Sequence, residues 1–221
     1  MDAIAVIATA VEQPLLQRLA PLLAALQEGE AMSRDIALAQ SACAPTPALR
    51  QALRLQSRQE AAHAAVFGAA LRCTGQRVLC PPRLLRALAE YRDRLNADVR
   101  AGALVASVFG LQCVFESLGE VALQPPAGAL ARLGDRLVPL RALMLQQEQA
   151  HHQLGRRWVA RWAAIASTAE AGALAAARDS YLALADAVID AGVEAFGPFE
   201  VDGRHFADAA RVRLAGLVPT V

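Results

Sequence analysis

Apolar side chains recur at steps of three and four along most of this chain, which is the spacing of amphipathic helices. Pro21 and Pro47 suit first helical turns, Thr46 is a candidate N-cap, and the Ser-Thr-Ala-Glu segment at 167–170 fits a capping box. Gly197 is placed to follow the end of a helix. The pattern predicts helices over about 3–19, 21–43, 46–73, 83–97, 98–124, 129–165, 168–196 and 203–215.

No linker or low-complexity segment divides the sequence, so we expect residues 1–221 to form one all-α domain. Four of the helices, at about 21–43, 46–73, 98–124 and 129–165, are expected to form a four-helix bundle. The others are expected to add helices at its N-terminal and C-terminal ends. The two halves of this bundle repeat one plan, although they share no sequence identity outside a few polar residues.

Those polar residues form a four-residue motif, Glu-x-x-His, that occurs twice on apolar helix faces. Glu60 and His63 make the first copy, and Glu148 and His151 make the second. Residues at positions i and i+3 lie on the same face of a helix, so each motif aims a carboxylate and an imidazole in one direction. One such motif on a solvated face would mean little. Two on core-facing stripes predict a shared buried site.

A further glutamate precedes each motif on the preceding helix. Glu116 precedes the second motif by 32 residues, and Glu30 or Glu28 precedes the first by 30 or 32. Side chains two positions apart on a helix point about 200° apart, so only one of Glu28 and Glu30 can face the bundle axis. The face of Glu30 carries no other charge, whereas Glu28 shares its face with Asp35. We therefore predict Glu30, although the 32-residue offset of the second half favours Glu28.

Four carboxylates and two imidazoles aimed into one core predict a site for two divalent metal ions. A buried unpaired carboxylate is costly, and four together would repel one another, whereas two divalent cations balance their charge. Imidazole and carboxylate ligands suit iron or manganese, and the absence of cysteine ligands argues against structural zinc. The set matches the ligands of di-iron carboxylate bundles. The predicted ligands are Glu30, Glu60, His63, Glu116, Glu148 and His151.

Five other polar residues are not predicted to be metal ligands. Gln56 and Gln112 lie one turn before a predicted ligand, and either bind the carboxylates or simply fill polar gaps in the core. Glu120 is expected beside the ligands or at the rim of the site. His152 points about 100° away from its neighbour His151, so we expect it at the surface or beside the site. His205 has no predicted role.

Composition and charge narrow the class of protein. Hydrophobic residues make up 55% of the sequence and the formal net charge is +1, so no nucleic-acid or anionic-membrane surface is indicated. Charged and amide residues interrupt the apolar stretches, so no membrane span is expected. No signal peptide is evident, and the four cysteines form no C-x-x-C pair. We expect a cytoplasmic protein with reduced thiols.

With these motifs the chain resembles the ferritin-like di-iron oxygenases, and most closely the aldehyde-deformylating oxygenases. The likeness covers about 20–200 and rests on short local matches rather than on extended identity. The segment between Glu116 and Glu148 differs in length from that family. The matching features are Glu28-Gly29-Glu30, Glu60-x-x-His63 with Phe67 and Cys73-Thr74-Gly75, Gly102 before Glu116, and Glu148-x-x-His151 with Gly155 and Trp158. His151-His152-x-x-Gly155 is also similar to the demethoxyubiquinone hydroxylases.

The resemblance implies a ferritin-like bundle that activates dioxygen at two iron ions and oxidises a small apolar or fatty-chain substrate. Conversion of an aldehyde to a hydrocarbon plus formate is one implied reaction, and hydroxylation or N-oxygenation is equally allowed. Electrons would come from a separate ferredoxin or reductase, since the chain has no flavin or nicotinamide motif. We expect a monomer or dimer. One alternative is a ferritin-like iron-binding or ferroxidase protein with no organic substrate, which a cage-forming assembly would favour. Another is a helical interaction protein with a vestigial site, which metal analysis would separate from both.

Overall fold

The computed structural model of the chain describes residues 13–75, 77–124, 138–196 and 200–217, and every regular element within them is helical. The prediction of an all-α bundle with additional helices is confirmed. The helices are α1 (Gln13–Arg18), α2 (Ala20–Cys43), α3 (Pro47–Cys73), α4 (Pro82–Arg100), α5 (Leu104–Leu123), α6 (Val138–Ala163), α7 (Thr168–Gly192) and α8 (Glu200–Ala215), with a 3₁₀ turn, Val193–Phe196, before α8.

Several helix ends follow directly from capping chemistry. Pro21 lies in the first turn of α2, where its missing N–H costs nothing. The Thr46 hydroxyl accepts a hydrogen bond from the Leu49 N–H at 3.2 Å and so caps α3. Ser167 and Glu170 form the predicted capping box at the start of α7. Each of these predictions is confirmed.

The predicted boundary between the fourth and fifth helices is wrong. The helix predicted to begin near Asp98 does not, because α4 continues to Arg100 and α5 begins only at Leu104. Gly102 adopts φ +73°, a left-handed conformation that ends a helix and that glycine adopts without strain. Asp98 therefore belongs to α4. The predicted segments 3–12 and 129–137, together with Gly197, lie outside the described residues.

Helices α2, α3, α5 and α6 surround the site, and the others cover their outer faces. A three-residue connection makes α2 and α3 an antiparallel pair with the most extensive packing in the fold. Helix α6 packs on α5, α4 packs between α2 and α7, and α8 closes over α5 and α7. The core between them consists of large side chains with almost no exposure, including Leu19, Ile36, Leu53, Leu95, Leu111 and Ile189.

Helix α5 contains a π-helical segment, Phe109–Phe115, directly before Glu116. A π-helical segment shifts the hydrogen-bond ladder, so some carbonyls need other partners. The Tyr91 hydroxyl donates to the Gly110 carbonyl at 2.7 Å, and His152 Nδ1 lies 3.2 Å from the Gln112 carbonyl. These side chains stabilise the widened turn that precedes Glu116.

By length and composition alone, α5 would pass as a membrane span, with a mean hydropathy of 1.4 over its most apolar window. Gln112, Glu116 and Glu120 interrupt its apolar residues, as expected from the sequence. In addition, 78% of that window is buried inside the protein. The helix is apolar because it lies at the centre of the bundle, with the other helices packed around it.

Candidate metal centre

The structure brings all six predicted ligand residues into one buried cluster at the centre of the bundle. Glu30 comes from α2, Glu60 and His63 from α3, Glu116 from α5, and Glu148 and His151 from α6. None of the six is more than 8% exposed. The cluster contains two overlapping groups of four, and within each group the potential ligand atoms lie within 4.8 Å of one another.

The two groups overlap in two residues, which divides the cluster into a shared centre and two ends. One group is Glu30, Glu60, His63 and Glu148, and the other is Glu60, Glu116, Glu148 and His151. Glu60 and Glu148 belong to both groups, so they are placed to be shared between two ions. We call the end with Glu30 and His63 the first position, and the end with Glu116 and His151 the second position.

Only one of the two candidate glutamates on α2 reaches this cluster. Glu30 is buried, and its Oε2 lies 3.3 Å from His63 Nδ1. Glu28 is exposed on the opposite side of the helix. The face argument therefore placed these two residues correctly, and the 32-residue offset that favoured Glu28 did not.

The His63 ring presents its Nδ1 atom to the carboxylates. This nitrogen lies 3.3 Å from Glu30 Oε2, 3.1 Å from Glu60 Oε2 and 3.2 Å from Glu148 Oε1. Its Nε2 lies 2.7 Å from Gln147 Oε1. An amide oxygen only accepts hydrogen bonds, so Nε2 carries the proton. In the neutral ring, Nδ1 then offers a lone pair, as a metal ligand does.

His151 repeats this arrangement from the other side of the cluster. Its Nε2 lies 2.9 Å from Gln59 Oε1, which holds the proton on that nitrogen. Its Nδ1 is buried and has no hydrogen-bond partner, although Glu60 Oε1 lies 2.9 Å away. The closest oxygen is thus near enough for an ion pair but outside hydrogen-bond geometry. A lone pair aimed at a cation accounts for this orientation.

Gln59 and Gln147 were missed in the sequence, and we call them the paired glutamines. Each directly precedes the glutamate of a motif, so the doubled motif is five residues long, Gln-Glu-x-x-His. Each also contacts the histidine of the other motif, so α3 orients the ring on α6 and α6 orients the ring on α3. The extra residue of identity between the two halves was the signal that could have found them.

Three further glutamines, Gln40, Gln56 and Gln112, form a buried row that we call the glutamine chain. Gln56 Nε2 donates to Glu116 Oε1 at 2.9 Å and to Glu60 Oε1 at 3.2 Å. Gln112 Nε2 donates to the amide oxygens of Gln56 at 3.0 Å and Gln40 at 2.7 Å. Of the two roles left open for Gln56, carboxylate binding is the one the structure shows. Gln112 acts on the carboxylates only through Gln56, and Gln40 was not foreseen.

Burial and crowding shift the pKa values of the cluster strongly. Desolvation raises the pKa of Glu30 to about 8 and that of Glu148 well above its ordinary range. Burial would also raise the pKa of Glu60, but its interactions with His151 and His63 lower that pKa to about 2. Burial opposes protonation of His151, yet contact with Glu116 and Glu60 raises its pKa to about 9. In the absence of cations, the cluster therefore retains protons.

Buried polar atoms without hydrogen bonds indicate that the cluster can accommodate a pair of cations. Glu60 Oε2, Glu148 Oε1 and His151 Nδ1 are fully buried and have no hydrogen-bond partner. Buried polar atoms almost always form hydrogen bonds, so these three atoms, whose close polar neighbours are other members of the cluster, require an explanation. Divalent cations bound by these oxygens and nitrogens would satisfy all three. The buried glutamate and histidine groups can therefore hold metal ions.

The remaining candidates are not among the six cluster residues. Glu120 is 4% exposed and forms an ion pair with Arg213 from α8, in keeping with a position beside the ligands. His152 is also buried and contacts the Gln112 carbonyl, so it is beside the site rather than at the surface. His205 is exposed on α8.

An apolar cavity of about 90 Å³ adjoins the cluster. Its volume is several times the ~10–15 Å³ that holds one water molecule. Glu30, Glu116 and Glu148 line one part of its wall, and Glu60 and both histidines do not. The rest of the wall comes mainly from α2, α4, α5, α7 and α8, through residues that include Leu22, Leu26, Leu84, Leu88, Phe115, Leu118, Ala122, Val188, Phe196 and Phe206.

No protein-family model matches this sequence, and no curated protein matches it either. The features that bear on function are therefore the cluster, the glutamines around it and the cavity.

Proposed function

We propose that this protein is a ferritin-like non-haem di-iron oxygenase that oxidises a small apolar or fatty-chain substrate with dioxygen. The observation that supports it most is the position of the apolar cavity, whose wall includes three of the four cluster carboxylates. A protein that only oxidised or stored iron would need a polar route for the ion. An apolar space beside the cluster suits an organic substrate better.

The six cluster residues would hold the two ions. Glu30 and His63 would bind the ion at the first position, Glu116 and His151 would bind the ion at the second, and Glu60 and Glu148 would be shared. Two bound iron ions would supply dioxygen activation, with manganese as the other candidate metal. The protein supplies the charge balance, and the paired glutamines keep both imidazoles in the orientation that ligands require.

The cavity wall selects for apolar, uncharged substrates. Leucine, phenylalanine and alanine side chains dominate it, so binding there removes apolar surface from water. No lysine or arginine is among the described lining residues, so nothing there would neutralise an anionic group. The reacting end of the substrate would then lie near Glu30, Glu116 and Glu148. Aldehyde deformylation, hydroxylation and N-oxygenation all remain compatible with this arrangement.

The proposal includes an external electron donor, a ferredoxin or a reductase, because neither a flavin-binding nor a nicotinamide-binding motif is found in the sequence. We also propose a cytoplasmic monomer or dimer. The rival function is a ferroxidase without an organic substrate. It shares the metal cluster with the oxygenase and differs only in what the cavity is for.

The cavity therefore provides the test. Apo-protein is loaded anaerobically with Fe(II) and mixed with dioxygen, a reductant and fatty aldehydes, alkanes or amines of graded length, and products are identified by mass spectrometry. Ala25 lines the cavity, so Ala25→Phe places a ring there and leaves the six cluster residues themselves unsubstituted. Ala42→Phe, on an exposed position of the same helix, is the control.

We expect an oxygenated or shortened product from wild type and from Ala42→Phe. Ala25→Phe should retain its iron but lose at least tenfold in product formation. Oxidation of many iron equivalents with no organic product, unchanged in Ala25→Phe, would instead support the ferroxidase.

A further inference from the structure

The two halves of the cluster are nearly symmetric, but they differ in the residue one turn before each motif. Each half contributes Gln-Glu-x-x-His, and each glutamine orients the opposite histidine. One turn before Glu60 stands Gln56, whereas the corresponding residue before Glu148 is Met144. Both are buried, but a thioether cannot donate a hydrogen bond. Only one half of the site therefore has an amide donor at this place.

The donor acts most closely on the terminal carboxylate of the second position, and at 3.2 Å it also reaches the shared carboxylate of Glu60. Gln56 Nε2 lies 2.9 Å from Glu116 Oε1, in a region where Glu116 is 2% exposed. At the first position, the hydrogen-bond partner of Glu30 among the described residues is His63, at 3.3 Å. Because His63 would itself be a ligand of that ion, no described residue outside the ligand set forms a hydrogen bond to Glu30. Glu116 is thus held before any metal binds, and Glu30 is not.

Gln56 is itself fixed by the rest of the glutamine chain. Its amide oxygen accepts from Gln112, whose amide also donates to Gln40, and Gln40 donates to the Ser107 hydroxyl at 3.0 Å. The three glutamines are at most 1% exposed. The amide oxygens of Gln56 and Gln40 both accept from Gln112 Nε2. Rotating the Gln56 amide would therefore turn its oxygen toward the Glu60 and Glu116 carboxylates and its N–H groups toward that donor. Its N–H groups must therefore point at the carboxylates.

We propose that the two metal positions are unequal, with the second position, at Glu116 and His151, binding its ion more tightly and filling first. A preorganised ligand binds metal without having to be ordered at that moment, and loss of such an outer hydrogen bond commonly lowers metal affinity by about 10–100-fold. The first position, at Glu30 and His63, fills second. Its terminal carboxylate borders the cavity and is the one free to change orientation there. This inference rests on the proposed metal site.

The test is a stepwise titration of anaerobic apo-protein with Co(II), followed by its visible absorption and by calorimetry. Wild type should show two steps, the first at least tenfold tighter. Gln56→Met places at position 56 the residue type found at position 144. It should weaken the first step by about 10–100-fold and the second step, through the contact with shared Glu60, by at least threefold less. Gln51→Met, at an exposed position of the same helix, should behave as wild type.

Two further variants leave the glutamine chain intact, so the test holds even if Gln56→Met does not fold. Glu30→Gln should weaken only the second step, and Glu116→Gln should weaken the first. Two equal steps in wild type, or variants that weaken the opposite step, would overturn the inequality. Failure of wild type to bind Co(II) at all would overturn the metal site itself, so the two failures are distinguishable.

Discussion

The metal-free protein should lose stability as pH rises from 5 to 8, because Glu30 keeps its proton in the folded state. Its pKa is about 8 when folded, against an ordinary value of 4.5. A group whose pKa is raised on folding contributes its stability fully below the unfolded pKa. That contribution is lost as pH rises through the folded pKa. The relevant window is therefore about pH 4.5 to 8.

The size of the effect follows from that shift. Each pH unit within the window changes the free energy of unfolding by ~1.4 kcal/mol for one proton. Between pH 5 and pH 8, Glu30 alone should therefore lower the free energy of unfolding of the apo-protein by roughly 4 kcal/mol. His151, with its pKa raised to about 9, adds a loss in the same direction above about pH 6.5. Glu60, with its lowered pKa, acts only at acid pH.

The assay is urea unfolding of chelator-treated protein at pH 5, 6, 7 and 8, followed by circular dichroism. Glu30→Gln removes the titrating group with little change in shape, so its stability should vary less steeply over the same range. Bound metal requires deprotonated ligands, so the stabilisation by added Fe(II) or Mn(II) should grow with pH. An apo-protein whose stability is flat or rises from pH 5 to 8, or an equal slope in Glu30→Gln, would refute the reasoning.

Three further predictions follow from individual contacts. Gln59→Leu and Gln147→Leu should each lower metal affinity by about 10–100-fold in an equilibrium titration, because each frees a histidine ring. An unchanged affinity in both would show that the rings need no partner. Tyr181→Phe should lower the free energy of unfolding by about 1–3 kcal/mol, because it leaves buried Asp98 without its 2.7 Å hydrogen bond. Gly155→Val should destabilise by at least ~2 kcal/mol, because a Cβ there would lie 2.5 Å from a side chain of α5. Wild-type urea midpoints would contradict either of these last two.

The spacing of apolar residues was enough to predict the helical class. The residues of the cluster could be predicted because charged side chains rarely occupy the buried face of a helix unless they bind one another or a metal. Glu60, His63, Glu148 and His151 stand where leucines would be expected, and a bundle brings such positions together. Capping residues such as Thr46 acted locally, so their effects could also be predicted. In these cases, the residues that determine the structure lie within a few positions of the feature that they determine.

The features that escaped prediction depend on contacts between distant helices. Gln59 and Gln147 reach histidines on another helix, and nothing in their own helix distinguishes them from surface glutamines. Gln40 is buried and hydrogen-bonded to Ser107 and Gln112, both on α5, which periodicity does not reveal. The π-helical segment before Glu116 leaves the apolar pattern almost unchanged. The end of α4 was misplaced because Gly102, rather than the hydrophobic stripe, determines it.

The central claim is that this chain builds a two-metal centre, and metal stoichiometry tests it most directly. Apo-protein loaded anaerobically with excess Fe(II), freed of unbound metal and analysed by elemental mass spectrometry should contain about two iron ions per chain. Glu60→Ala, which removes a residue shared by both groups, should retain less than one. Wild-type protein that saturates at a single ion, binds only zinc or retains no metal would contradict the account.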